Sequence, residues 1–122
     1  MDGLIEPFKM DFSLGIDIQM IDVFENSNEN FINKIFDEEE KRYCFSKSKP
    51  AQHLAARFCI KEAVIKAMTS FGKQLNYKDI IVIMEGNNPT VKLIDLGLEF
   101  AISCSLSHSG DFAIGSVMVK IK

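Results

Sequence analysis

The sequence predicts a small single domain of the α+β class, in which a largely antiparallel sheet packs against one long helix. The first observation is the length, because 122 residues suit one domain. The second is residues 52 to about 71, which are rich in alanine and long aliphatic side chains and contain no glycine or proline. The third is the alternation of apolar and polar residues in late segments that short turns separate. Mixed helices with hairpin-linked strands are typical of the α+β class.

The N-terminal half predicts one strand and two helices before the long helix. Residues 14–19 alternate between apolar and polar side chains and predict a strand with one apolar face. Residues 26–36 carry apolar side chains at helical spacing. Asp37 is placed to cap a further helix that runs to about Phe45, with three glutamates in its first turn. Residues 1–11 form an N-terminal extension of the single domain 1–122.

The C-terminal half predicts a sheet. Gly72 is the predicted C-terminal cap of the long helix. The strands that follow are predicted at residues 80–84, 91–94, 101–108 and 112–121. In the third of these, serines at alternate positions share one face, and His108 lies on the other face with apolar residues.

Composition excludes several classes of function. A chain that is 47% hydrophobic and 25% charged is typical of a globular protein and not of a disordered one. The net charge of −3 speaks against nucleic acid as the main partner. The sequence contains no apolar run long enough to span a membrane, and residues 1–10 lack the apolar stretch of a signal peptide, so we expect a cytoplasmic protein. The spacing of Cys44, Cys59 and Cys104 predicts small core side chains and no zinc site or disulfide framework.

Lys61 is the first residue that fits poorly with a purely structural helix. Its neighbours at helical spacing are apolar, apart from Arg57 one turn earlier. A lysine in an apolar stripe is costly unless its ammonium reaches water or meets an anion. The pattern therefore allows either a lysine that extends to solvent or one that binds a negatively charged group.

Carboxylates and a histidine form the second set of candidates. Asp17 lies in a strand, where aspartate is a poor strand former, and Glu62 precedes Lys66 by four residues, the favourable order for a helical ion pair. Both carboxylates can face solvent, or they can hold a hard cation such as Mg²⁺, which prefers carboxylates, water and phosphates. His108 ends a strand among serines, which suits either a local hydrogen bond or phosphate binding.

Three segments together resemble the holo-acyl-carrier-protein synthase family, the short trimeric type of the 4′-phosphopantetheinyl transferase superfamily. Residues 14–18 read Leu-Gly-Ile-Asp-Ile, residues 56–67 read Ala-Arg-Phe-Cys-Ile-Lys-Glu-Ala-Val-Ile-Lys-Ala, and residues 105–109 read Ser-Leu-Ser-His-Ser. Residues 36–40, Phe-Asp-Glu-Glu-Glu, are similar to a further family segment. The resemblance covers residues 12–119, and its middle segment is the most specific.

The resemblance implies an activity and a set of site residues. Family members transfer 4′-phosphopantetheine from coenzyme A to a serine of an apo carrier protein, depend on Mg²⁺ and release adenosine 3′,5′-bisphosphate. Asp17 and Glu62 would be the metal ligands, and Glu62, Lys66 and Asp17 the catalytic residues. The implied contacts to coenzyme A come from Arg57, Lys61, Lys66, Gly72, Lys73, Ser107 and His108. The family fold and a homotrimer with active sites between subunits are implied as well.

The predicted partner is an acyl, polyketide or peptidyl carrier protein, and one segment departs from the family pattern. The family usually has an arginine six residues after the metal-binding aspartate, where this chain has Val23, and residues 22–29 contain no Lys or Arg. We therefore expect the carrier to dock through apolar contacts from Met20, Val23 and Phe24 rather than through basic residues. The alternative function is a non-catalytic module that keeps the fold and binds or scaffolds carrier proteins.

Overall fold

The computed structural model describes residues 11–96 and 99–122 and confirms the α+β class. The N-terminal extension predicted at residues 1–11 lies outside the described residues, apart from its last position. The helices are α1 (Asp22–Glu25), α2 (Glu29–Ile35), α3 (Glu38–Phe45) and α4 (Pro50–Thr69), with a short 3₁₀ helix at Tyr77–Asp79. The strands are β1 (Phe12–Met20), β2 (Ile80–Glu85), β3 (Asn88–Leu93), β4 (Phe100–Ser109) and β5 (Phe112–Ile121).

Local chemistry explains the ends of the helices. The Asp37 side chain accepts from the backbone N–H of Glu40, and the Glu40 side chain accepts from the backbone N–H of Asp37, so α3 begins with the capping box that its sequence predicts. Helix α4 starts at Pro50, two residues earlier than predicted, because a proline in the first turn lacks only an N–H that would have no helical partner. It ends at Thr69, and Gly72 turns the chain at a φ of 70°.

Two antiparallel sheets build the β part of the domain. The larger sheet has the strand order β1–β5–β4, and β2 and β3 form a separate two-stranded sheet. Helix α4 packs across the larger sheet and lies at the centre of the hydrophobic core. Cys44 and Cys59 are buried, Cys104 is half-buried, and all three are free, as predicted. None of the described helices has both the length and the apolar content needed to cross a membrane.

In the larger sheet, the apolar face of β1 is exposed and its polar face is turned inward, the opposite of what the alternation of its residues suggests. The apolar side chains of β1, namely Leu14, Ile16, Ile18 and Met20, are exposed. The polar side of the strand, which carries Asp17, faces α4 instead. Register places Met118, Ile114 and Phe112 of β5 beside the exposed residues of β1, and the alternate serines of β4 continue the same face. We call this surface the open sheet face.

Glycines allow the helix to lie very close to the sheet. A Cβ on Gly15 would come within 1.9 Å of the Ala63 carbonyl oxygen, and a Cβ on Gly115 within 2.9 Å of the Ile60 backbone nitrogen. Gly115 is the register partner of Asp17. The strand and the helix therefore approach each other at the positions that carry the predicted site residues.

Candidate active site

The close packing of β1 on α4 brings Asp17 and Lys66 into contact. The Lys66 ammonium donates to Asp17 Oδ1 at 2.9 Å and to the Ile16 carbonyl at 3.1 Å. The Lys66 side chain is 54% exposed, whereas that of Asp17 is 16% exposed. The pair thus lies at the surface with its carboxylate half-sheltered, where a ligand from solvent can reach the ammonium.

Glu62 lies one turn before Lys66 on α4, and its partner is a residue that sequence reasoning missed. The hydroxyl of Tyr77, in the 3₁₀ helix, donates to Glu62 Oε1 at 2.5 Å. Burial, and then this hydrogen bond, raise the pKa of Tyr77 to about 12, so the phenol is a proton donor at neutral pH. Nothing in the sequence pattern signals this contact, since it joins two residues that lie in different elements and are 15 positions apart in the chain.

The charges of these residues act on one another. The hydrogen bond to Asp17 raises the pKa of Lys66, and the charges of Asp17 and Glu62 add to that effect. Burial is the main reason that the pKa of Cys59 rises to about 12, and Asp17 and Glu62 contribute as well. We call Asp17, Glu62, Lys66 and Tyr77 the Asp17 cluster, in which the Lys66 ammonium binds Asp17 and interacts electrostatically with Glu62.

The Asp17 cluster fits a cation that takes only part of its coordination from protein. Within the described part of the chain, no group of three or more His, Cys, Asp or Glu side chains is placed to hold a metal ion. The two carboxylates of the cluster supply hard oxygen ligands, and Asp17 already binds a positive group, the Lys66 ammonium. Mg²⁺ commonly takes one or two carboxylates and completes its shell with water and substrate phosphates.

The structure does not bring Lys61 to this cluster. Lys61 is completely buried, and its ammonium donates to Glu40 Oε1 at 2.9 Å, to the Tyr77 carbonyl at 2.9 Å and to the Ile80 carbonyl. Three acceptors match the three N–H groups of a lysine. Of the two alternatives that the pattern allows, the structure shows the second, with Glu40 as the negatively charged group and no part of Lys61 extending to solvent. The phosphate contact implied by resemblance would require the ammonium to leave these acceptors.

Arg57 and His108 lie in a second group of polar residues, around the N-terminal half of α4. The Gln52 amide donates to His108 Nε2 at 2.6 Å. The Arg57 guanidinium is 2% exposed, stacks 4.2 Å from the centre of the Tyr43 ring and has an unpartnered Nε. Burial is the main reason that the pKa of His53 is lowered, and the positive charges of Arg57, Lys47 and His108 add to that effect. We call Tyr43, Gln52, His53, Arg57 and His108 the Arg57 cluster.

The two clusters are separate within one chain. His108 is aligned across β5 with a residue two positions after Asp17 on β1. Two strand spacings and two residue steps put the backbones of Asp17 and His108 about 12 Å apart. A small functional group contacts only one cluster at a time, whereas an extended ligand can contact both.

Within the described part of the chain, the remaining predicted residues form no hydrogen bond or ion pair with the side chains of either cluster, and Ser107 differs from its neighbour His108 in the sheet face it occupies. Gly72 and Lys73 follow the end of α4, where the Lys73 backbone N–H donates to the Met68 carbonyl at 3.2 Å. Ser107 is exposed on the open sheet face, whereas the Asp17 cluster lies on the α4 side of the sheet. Coenzyme A contacts from Gly72, Lys73 and Ser107 stay predictions.

A family model described as the 4′-phosphopantetheinyl transferase superfamily matches residues 13–117. This match includes every residue of the Asp17 and Arg57 clusters. A holo-[acyl-carrier-protein] synthase from Chlamydia trachomatis serovar D is 43% identical over 112 residues, which cover 84% of this chain and 93% of that protein.

Solved structures match the fold over nearly the same span. A holo-(acyl-carrier-protein) synthase from Bacillus anthracis strain Ames, in complex with CoA (3′,5′-ADP), has a TM-score of 0.76 and 26% identity and covers 90% of this chain and 96% of its own. A holo-[acyl-carrier-protein] synthase from Helicobacter pylori, in complex with coenzyme A, has a TM-score of 0.72 and 28% identity, with coverage of 89% and 99%.

Proposed function

This chain belongs to the 4′-phosphopantetheinyl transferase superfamily, and from that premise we propose that it is a holo-acyl-carrier-protein synthase whose activity depends on Mg²⁺. The serine hydroxyl of an apo carrier protein attacks the β-phosphorus of coenzyme A. A new phosphodiester forms, the pyrophosphate P–O bond breaks, and adenosine 3′,5′-bisphosphate leaves. The observation that carries the proposal is the contact of Lys66 with Asp17 beside Glu62, on a surface open to solvent.

Asp17 and Glu62 are the proposed ligands of Mg²⁺. When bound, the cation would neutralise negative charge on the pyrophosphate of coenzyme A. Both side chains offer carboxylate oxygens, and Asp17 already binds one positive group, the Lys66 ammonium. Tyr77 binds Glu62 Oε1, so Oε2 is the oxygen that we assign to the cation or to the serine proton.

Lys66 and Glu62 have distinct proposed roles in the transfer. The Lys66 ammonium is exposed enough to turn from Asp17 to a phosphate oxygen, where it stabilises the charge that develops on the leaving group. Glu62 is the proposed base for the serine hydroxyl, and its place one turn before Lys66 puts a proton acceptor and a charge stabiliser on the same face of the helix. The nucleotide end of coenzyme A is assigned to the Arg57 cluster.

We propose that the enzyme acts as a homotrimer. The open sheet face exposes apolar side chains from β1 and β5, and a chain of this size rarely leaves such a surface in water. Light scattering that reports a monomer at micromolar concentration would contradict the trimer.

Carrier docking has to be assigned to fewer residues than expected. Phe24 is buried against the rings of Phe31, Phe36 and Phe58, so the prediction that Phe24 contacts the carrier is wrong. Val23 and Met20 are exposed; Val23 stays a candidate for apolar docking, whereas Met20 is part of the open sheet face that the proposed trimer would cover. The first turn of α1 is acidic, with no basic residue in its last turn, so the proposed carrier contact does not depend strongly on salt.

The cytoplasm is the proposed compartment.

The test is a transfer reaction read by intact mass. The purified protein is incubated with coenzyme A, Mg²⁺ and a panel of apo carriers for fatty-acid, polyketide and peptide synthesis. We expect one carrier class to gain one phosphopantetheine, and we expect Glu62→Ala and a chelator to abolish the gain. Glu85→Ala, at an exposed strand end far along the chain, is the matched control and should retain activity. Absence of transfer to every carrier with the wild-type protein would refute the proposed function.

A further inference from the structure

We propose that Tyr77 is a positioning residue for Glu62, and that its hydroxyl sets which carboxylate oxygen of Glu62 is presented to the cation. This inference rests on the proposed function, because it assigns Glu62 to the metal. Its basis is the hydrogen bond from the Tyr77 hydroxyl to Glu62 Oε1 at 2.5 Å. The phenol is neutral, so it orients the carboxylate without competing with a cation for charge.

Three parts of Tyr77 are held in place, namely its backbone in the 3₁₀ helix, its carbonyl and its ring. Its backbone lies in a 3₁₀ helix whose first turn is closed by the Asn76 N–H, which donates to Asp79 Oδ2 at 2.8 Å. Its carbonyl accepts from the Lys61 ammonium at 2.9 Å. Its ring packs on that of Phe58, with 5.4 Å between centroids. The hydroxyl therefore reaches Glu62 from a rigid base.

Three residues that hold Tyr77 belong to one short stretch of α4. Phe58 holds the ring, Lys61 the backbone and Glu62 the hydroxyl. The buried ion pair of Lys61 with Glu40 fixes the ammonium that binds the Tyr77 carbonyl. Lys61 therefore contributes to the site without contacting a ligand, because it holds Tyr77, which in turn holds Glu62.

The hydrogen bond also fits the pairing of Lys66 with Asp17 rather than with Glu62. Glu62 and Lys66 are separated by four residues in the order that favours an ion pair along a helix. Tyr77 takes one oxygen of Glu62, while the Lys66 ammonium extends to Asp17 Oδ1 and the Ile16 carbonyl. Loss of the hydroxyl would free Glu62 to turn toward Lys66, which would draw both groups away from the cation and the phosphate.

The experiment compares Tyr77→Phe with Thr90→Val, a control that likewise deletes one hydroxyl, here one that donates to the Ile83 carbonyl within the β2–β3 sheet. Mn²⁺ serves as the probe, and its binding is measured by electron paramagnetic resonance with coenzyme A present and no carrier. Outer partners of metal ligands commonly change metal affinity or activity by about 10–100-fold. We expect Tyr77→Phe to weaken Mn²⁺ binding about tenfold or more and to lower kcat, with the KM for coenzyme A changed less than about twofold. Thr90→Val should match the wild type.

Two results would overturn the inference. One is Mn²⁺ affinity and kcat of Tyr77→Phe within about twofold of the wild type. The other is a lower melting temperature with unchanged Mn²⁺ affinity, since that is the result of a structural hydroxyl alone. Failure of the proposed function gives a different result: the wild type then transfers nothing to any carrier, whereas weaker Mn²⁺ binding by Tyr77→Phe alone still supports the inference.

Discussion

Two lysines on the same helix, Lys61 and Lys66, have opposite surroundings. The Lys61 ammonium is sealed in the core, with a carboxylate and two carbonyls as acceptors. Lys66, little more than one turn later, lies at the surface on Asp17. The sequence draws attention to Lys61, because its helical neighbours are apolar. The comparison teaches that a charge in an apolar stripe indicates a buried partner first, and that a half-exposed lysine is the better candidate for substrate binding.

Removal of the buried lysine gives the largest expected effect. Lys61→Met leaves Glu40 as an uncompensated buried charge, which commonly costs about 3–5 kcal/mol of stability. Urea unfolding at fixed subunit concentration measures this loss. We expect the double variant Lys61→Met with Glu40→Gln to recover part of it, since the charge is then absent. Unchanged unfolding together with a raised KM for coenzyme A would show that Lys61 is a phosphate ligand after all.

Removal of the exposed lysine should affect catalysis and not the fold. Lys66→Ala breaks a surface ion pair, which contributes about 0–1 kcal/mol to stability. Loss of a group that stabilises developing charge commonly lowers kcat about 10²–10³-fold. Initial rates of phosphopantetheine transfer and a melting curve, measured on the same sample, separate these effects. A variant that loses several degrees of melting temperature but keeps its rate would reverse the comparison.

The spacing between β1 and α4 can be changed at Gly15. A methyl group there would meet the Ala63 carbonyl oxygen at 1.9 Å, so Gly15→Ala must push the strand away from the helix. Overpacking of this kind commonly costs about 1–3 kcal/mol, and we expect kcat to fall further than stability explains, because Asp17 moves relative to Lys66. Gly86→Ala is a control with open space around its Cβ, although its positive φ carries its own strain. Equal losses of rate in both variants would argue against the role of spacing.

The smallest effect is in the alkaline dependence of stability, where the lysines act with opposite sign. Burial lowers the pKa of Lys61, whereas the hydrogen bond to Asp17 raises that of Lys66. Unfolded lysines titrate near about 10.4. Just below this value the unfolded chain binds more protons than folded Lys61, so Lys61 makes stability rise with pH. The contribution of Lys66 is complete below about 10.4 and is lost as the pH rises through its higher folded pKa.

A variant separates these opposing contributions. In melting curves recorded from about pH 8 to about pH 11, Lys66→Gln should lose less stability at the alkaline end than the wild type does. The variant lacks the favourable pair at every pH, so its curve should also start lower. Parallel curves for the two proteins would contradict the raised pKa of Lys66.

Most of the fold could be predicted from local signals. The capping box at Asp37 and the alternation in β4 and β5 determine their elements through contacts within a few residues. The fate of each strand face could not be predicted in this way. Alternation in β1 shows that one face is apolar, but only the glycine-mediated contact with α4 decides that the polar face turns inward.

The candidate site was predictable to a different extent. Asp17, Glu62 and Lys66 follow from motifs, and the structure brings them to one place. Tyr77 and the Glu40 partner of Lys61 could not be found from spacing, since their contacts span 15 and 21 residues and depend on how the 3₁₀ helix and α3 pack on α4. A buried lysine predicts that an anion exists, but it does not say which one.

The open sheet face has a consequence for mixtures of intact and defective subunits. If three copies meet through this face, a chain with an intact face and a damaged Asp17 cluster enters the same assemblies as normal chains. Because each site uses one Asp17 cluster, such a subunit would reduce activity in proportion to its share of the population when both are expressed together. Dilution would act in the same direction, because isolated copies expose the apolar side chains of β1 and β5 and lose the neighbour on which a shared site depends.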